Sequence, residues 1–151
     1  MTGVHATSWI WTCAWGMMLL TAGCFTHDPN AQRQEIHSTW EDGDPKVVFG
    51  LRGDTVFERL EYHDSGQLKS RGGWWNDARS GVWNSYYESG MPWSQVSYDA
   101  GVENGTYRTY HPNGEPAIEG AYLRGERTGT WRFYSPEGVL LDTREGKELA
   151  Q

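Results

Sequence analysis

Gly66, Gly90, Gly114 and Gly138 stand 24 residues apart, and four residues before each stands a tyrosine: Tyr62, Tyr86, Tyr110 and Tyr134. Two further ladders keep the same step, Trp83/Tyr107/Trp131 and Trp74/Tyr98/Tyr122, and Gly81, Gly105 and Gly129 run in phase with them. Several ladders in one register define a repeat array. A 24-residue unit is too short to bury a face by itself, so each unit must stack on its neighbours.

Each unit carries two turn signals. Ser65-Gly66, Ser89-Gly90, Asn113-Gly114 and Glu137-Gly138 mark one; Gly101–Gly105 and Gly125–Gly129 mark the other. The segments between them have strand length, and Asn-Gly between such runs signals a hairpin because both residues tolerate positive φ. The expected fold is all-β: an elongated antiparallel meander of β-hairpins, about four units, each adding two strands or roughly 9.6 Å of sheet. Trp40–Gly43 followed by Phe49–Gly53 reads as a degenerate first unit, and the last unit stops near Gly146.

Alternation assigns the faces. Leu68/Ser70/Gly72/Trp74, Pro92/Ser94/Val96/Tyr98 and Pro116/Ile118/Gly120/Tyr122 form a face that is largely apolar or small, while Lys69, Arg71, Gln95, Ser97, Asp99 and Glu119 form the other. Trp83, Tyr107 and Trp131 are expected to stack as an aromatic ladder, with a small residue opposite a large ring letting units approach. Tyr86 and its equivalents fall on the opposite parity, which a bulge near the turn would reconcile. Low hydrophobic content (37%), 19 Gly and abundant aromatics (14%) fit a fold that covers much area with few rings.

The amino terminus differs. Trp9–Ala22 is an apolar run of signal-peptide length, shorter than a membrane span. It ends in Thr21-Ala22-Gly23-Cys24, which resembles the bacterial lipobox, in which the cysteine is lipidated and becomes the mature N-terminus. Thr21 stands where Leu is usual, and the segment before the apolar run has no Lys or Arg. The expected organisation is a signal peptide at 1–23, a lipid-anchored flexible spacer at 24–38, the repeat domain at 39–146 and a tail at 147–151. Ordinary secretory cleavage nearby and a retained anchor are the alternatives. Cleavage before Cys24 discards Cys13, and acylation consumes the remaining thiol, so no disulfide is expected.

Gly81/Trp83/Tyr86/Gly90, Gly105/Tyr107/Tyr110/Gly114 and Gly129/Trp131/Tyr134/Gly138, with Gly120/Tyr122/Gly125 as a second block, resemble the MORN repeat in its bacterial variant form. That group includes the YwqK-type proteins that carry an antitoxin label. The resemblance covers about residues 37 to 146 and implies a non-catalytic interaction or scaffolding module, in some members linked to membranes.

Chemistry beyond binding finds little support. The net charge is −7 and no basic cluster faces a phosphate, which argues against nucleic acid and anionic lipid. His63 and His111 occupy equivalent slots two units apart, ~19 Å, too far to share a metal ion. The carboxylates are scattered, and neither a nucleophile motif nor a phosphate loop is present. No cofactor, metal site or catalytic residue is expected.

Three aromatics exceed what the repeat requires. Trp75, whose counterparts are Leu51, Asp99 and Leu123, is expected on the more polar face ~20 Å from Trp93 and so forms no patch with it. The other two are Trp93 and Tyr87. Trp93 has Lys69, Ala117 and Leu141 as counterparts; Tyr87 has His63, His111 and Ser135. Trp93, expected on the more polar face, and Tyr87 beside the same turn are therefore the candidate partner-binding residues, against the plainer reading of a stabilising cross-strand pair. The function expected is a membrane-tethered module that binds a protein partner, exported to the periplasmic side with the outer membrane slightly favoured. The alternatives are an antitoxin or immunity protein and a cell-wall or glycan-binding module.

Overall fold

The computed structural model describes residues 32–147. The signal peptide, Cys24, the first part of the expected spacer and all but the first residue of the expected tail lie outside the described residues.

Ten strands form one sheet in sequence order, every neighbouring pair antiparallel. They are β1 (Gln32–Thr39), β2 (Pro45–Arg52), β3 (Thr55–Tyr62), β4 (Leu68–Trp75), β5 (Ala78–Tyr86), β6 (Pro92–Asp99), β7 (Val102–Tyr110), β8 (Pro116–Leu123), β9 (Glu126–Tyr134) and β10 (Leu140–Glu145). At normal strand spacing the meander is about 43 Å across. The expected hairpin architecture is what forms, with the degenerate first unit as a fifth hairpin.

One boundary moves. Gln32–Thr39 is strand β1, paired to β2 from Gln32↔Arg52 to Thr39↔Pro45, where a spacer was expected as far as Ser38. Its sequence, QRQEIHST, is polar apart from Ile36, and as an edge strand with flanking side chains on one side only it leaves almost all of its side chains exposed, Ile36 among them. Such a strand shows no burial alternation, and its charges discourage further edge pairing.

The first set of turns closes in the same way in all five hairpins. The amide of Gly43, Gly66, Gly90, Gly114 or Gly138 donates to the carbonyl three residues back, at 2.8–3.1 Å. The second set is tighter than expected: Asn76-Asp77, Ala100-Gly101 and Arg124-Gly125 have both residues at positive φ, the two-residue geometry that matches strand twist. The strand has resumed by Val102 and Glu126, so Gly105 and Gly129 lie inside strands, at the places where the register against the preceding strand shifts.

Few residues are fully buried. Val47, Val48, Leu51 and Leu60 form the core of the first units, and Trp83, Val96 and Trp131 that of the later ones. Trp83 (2% exposed) packs on Gly72 and donates its indole N–H to the Gly73 carbonyl at 2.9 Å; Trp131 (1% exposed) packs on Gly120. Rings continue along this face, with Trp83 at 6.2 Å from Trp74 and 6.5 Å from Tyr98, and Trp131 at 5.1 Å from both Tyr107 and Tyr122. Arg79 and Arg127 cap the ladder, their guanidinium carbons 4.3 and 4.4 Å from the Trp83 and Trp131 rings.

Candidate functional site

Each of the last four hairpins has a bulge near its first turn. Ser85 pairs with Ser94 and Tyr86 with Pro92, which leaves Trp93 without a partner on β5. Lys69, Ala117 and Leu141 are skipped in the same way in the other three. A bulged residue is re-aimed relative to strict alternation. Trp93 and Lys69 consequently line the aromatic face, not the polar one expected from parity, and Trp93 is 51% exposed there. Tyr110 and Tyr134 belong to the opposite face: the Tyr134 hydroxyl donates to Glu119 Oε2 at 3.1 Å, and Glu119 also meets Arg108 Nε at 2.9 Å.

Tyr87 has a definite partner. Its hydroxyl donates to the Tyr110 carbonyl at 2.7 Å, while the Nε2–H of His63 donates to the Tyr86 carbonyl at 3.1 Å and that of His111 to the Tyr134 carbonyl at 2.9 Å. Three side chains of two chemistries therefore make the same link, each fastening its turn to the framework tyrosine of the next unit. The histidines are thereby accounted for as fasteners. Tyr87 also borders the open side of the aromatic face beside Trp93.

That face holds a trough of about 510 Å³, lined on one flank by Trp83, Tyr98 and Tyr107 and on the other by His63, Tyr87 and Trp93. Its floor is a cross-strand row, Glu61↔Ser70↔Ser85↔Ser94↔Thr109, one residue from each strand from β3 to β7. The row has apolar ends. Val47 pairs with Glu61 at one, and Thr109 pairs with Ile118, which pairs with Phe133, at the other. In the last units the same repeat slots carry Ile118 and Phe133 where earlier ones carry Ser94 and Thr109. The scaffold accepts large apolar side chains there, so the trough exists because small hydroxylated ones replace them.

Sequence reasoning singled out Trp93 and Tyr87, which line the trough, but missed the floor, since the row becomes visible only when the bulges have set the register. Ser70 Oγ donates to Glu61 Oε2 at 3.2 Å, and Glu61 also meets Arg59 at 2.9 Å. Glu88, 4.0 Å from His63 Nδ1, and Glu103 line the trough together with Lys69 and Arg79, so the lining mixes both signs of charge. The Tyr107 phenol is pushed above its ordinary value, chiefly by burial, with Tyr122 and Glu103 adding to the shift. Among the described residues no three His, Cys, Asp or Glu groups gather as metal ligands would. The arrangement offers hydrogen bonds and ring faces to a ligand.

Two stretches, residues 79–100 and 103–123, match the family model described as the MORN repeat variant. The matches begin 24 residues apart, in phase with the ladders, and together span β5 to β8. Comparison with curated proteins and with solved structures found no similar chain.

Proposed function

We propose, from the premise that this chain carries MORN-variant repeats at residues 79–100 and 103–123, that it is a non-catalytic recognition module tethered outside a bacterial cell by lipid on Cys24. Its ligand seats in the trough of the aromatic face. The repeat family supports an interaction module, and the hydroxyl floor supports this face as the site: polar small residues fill slots that the same scaffold fills with Ile118 and Phe133 elsewhere. The opposite face supports the choice by contrast, since Asn84, Gln95, Arg108 and Glu119 largely satisfy one another there.

Photo-crosslinking in cells tests the face. A photoreactive side chain at Ser85, on the floor, should give adducts to a ligand; at Asn84, the adjacent residue on the other face, it should not. Adducts from Asn84 alone would move the site to the polar face. Mass spectrometry of the mature N-terminus tests the tether: a diacylglyceryl group on Cys24 and loss of residues 1–23 are expected. An unmodified Cys24 in a soluble product would remove it.

A further inference from the structure

We infer that the trough is a binding site for a neutral oligosaccharide lying across the strands from β3 to β7. The inference rests on the reading of the aromatic face as the binding face and adds the chemistry of its occupant.

The ligand must match three features. First, the site lies in the middle of the sheet, where the backbone groups of β4, β5 and β6 are already paired on both sides. A peptide cannot add there as an extra strand, so recognition falls to side chains and the ligand must bring its own polar groups. Second, the floor is a line of hydroxyls running from the Glu61 carboxylate over ~19 Å, in which Ser70 is buried and donates to Glu61 while Ser85, Ser94 and Thr109 are part-exposed and offered to a ligand. Hydroxyls both donate and accept, which suits a ligand that is itself a string of hydroxyls.

Third, Trp93 stands half exposed at the rim with Tyr87 beside it, a ring free to cover the apolar face of a sugar while the floor bonds its edge. Charge narrows the class. Glu61, already paired with Arg59, lines the trough with Glu88, Glu103, Lys69 and Arg79, so both an acidic and a strongly cationic polymer meet like charges there. An uncharged ligand is the one that loses least.

The scaffold supplies the test. Ser94→Ile copies into β6 the residue that β8 carries at the same slot, Ile118, and fills the trough without a foreign shape. The full chain, Ser94→Ile and Trp93→Ala are applied to an array of immobilised neutral hexose and N-acetylhexosamine oligomers and of uronic-acid oligomers. Binding of the unaltered chain to neutral oligomers is expected, weakened roughly thirtyfold by Trp93→Ala and abolished by Ser94→Ile with the melting temperature retained. Should Ser94→Ile fail to fold, Ser85→Val takes its place.

Absence of binding to any neutral oligomer would overturn the inference, as would a preference for the uronic acids or binding indifferent to both substitutions. If Ser85 crosslinks a protein in cells while the array stays blank, the face stands as the binding face and the oligosaccharide does not. Loss of both signals removes the face itself.

Discussion

A methyl group added to Gly120 would stand 2.4 Å from Cδ2 of the Trp131 indole, closer than carbon atoms approach without displacement. The units therefore dock ring against bare backbone, and the same is true of Gly72 under Trp83. Gly120→Ala should destabilise the array by about 1 to 3 kcal/mol through overpacking. Adding Trp131→Tyr should return part of the loss, because the middle unit seats the larger Val96 against the smaller Tyr107. Thermal unfolding of the single and double variants checks this; strictly additive losses would mean that the ring contact is not the cause.

Trp131 and Trp93 should separate stability from binding. Trp131 is 1% exposed and Trp93 51%. Trp131→Ala should cost ~3 to 5 kcal/mol of stability by opening a hole between units, whereas Trp93→Ala should shift the melting temperature by only a few degrees. Equal melting losses would make Trp93 a structural residue.

Tyr87 fastens its turn through a hydrogen bond that histidine makes in the neighbouring units. Tyr87→Phe should cost about 1 kcal/mol, and Tyr87→His should recover most of it. Chemical denaturation of the three proteins gives the comparison, and a histidine variant as unstable as the phenylalanine one would show that the link does not transfer between units.

Gly114 holds φ +90, and a side chain there would meet Met91 Cε at 3.1 Å. Gly114→Val combines a backbone conformation that β-branched residues avoid with that contact, and is expected to cost on the order of 1 to 3 kcal/mol. A melting temperature equal to that of the unaltered protein would place the turn elsewhere.

Tyr107 sets an alkaline limit. Burial first, then Tyr122 and Glu103, raise its folded-state ionisation above the ordinary 10.0. The unfolded chain therefore releases this proton at lower pH than the folded one. The associated stability is whole below about pH 10 and declines as pH rises beyond it. Tyr107→Phe should lose less stability than the unaltered chain between about pH 9 and about pH 11. Parallel losses in pH-dependent unfolding would mean that Tyr107 ionises as easily folded as unfolded.

The hairpin array was legible because its period is carried by turn glycines and large rings, which tolerate little substitution at their slots. Gly72 under Trp83 and Gly120 under Trp131 show in the sequence as small residues facing large ones. β1 was not legible, since an exposed edge strand has no buried side to impose alternation. The trough was half legible. Trp93 stood out as an aromatic the repeat does not need, but its face was misread, because an unpaired residue such as Trp93 or Lys69 leaves no mark in a strand-length segment. Tyr87 looked singular for a different reason: a phenol stands where the neighbouring units carry an imidazole, yet each reaches the equivalent carbonyl of the unit that follows it.

The hydroxyl row advances one strand at a time and stops where Ile118 and Phe133 take over its slots. Its extent is consequently a count of units. Duplicating one 24-residue stretch between Glu61 and Thr109 would lengthen the floor by two strands, while a pair of point changes at positions 118 and 133 would lengthen it without adding chain. In a protein built in this way the length of the floor is set by the number of copies, independently of the contacts that hold each copy together.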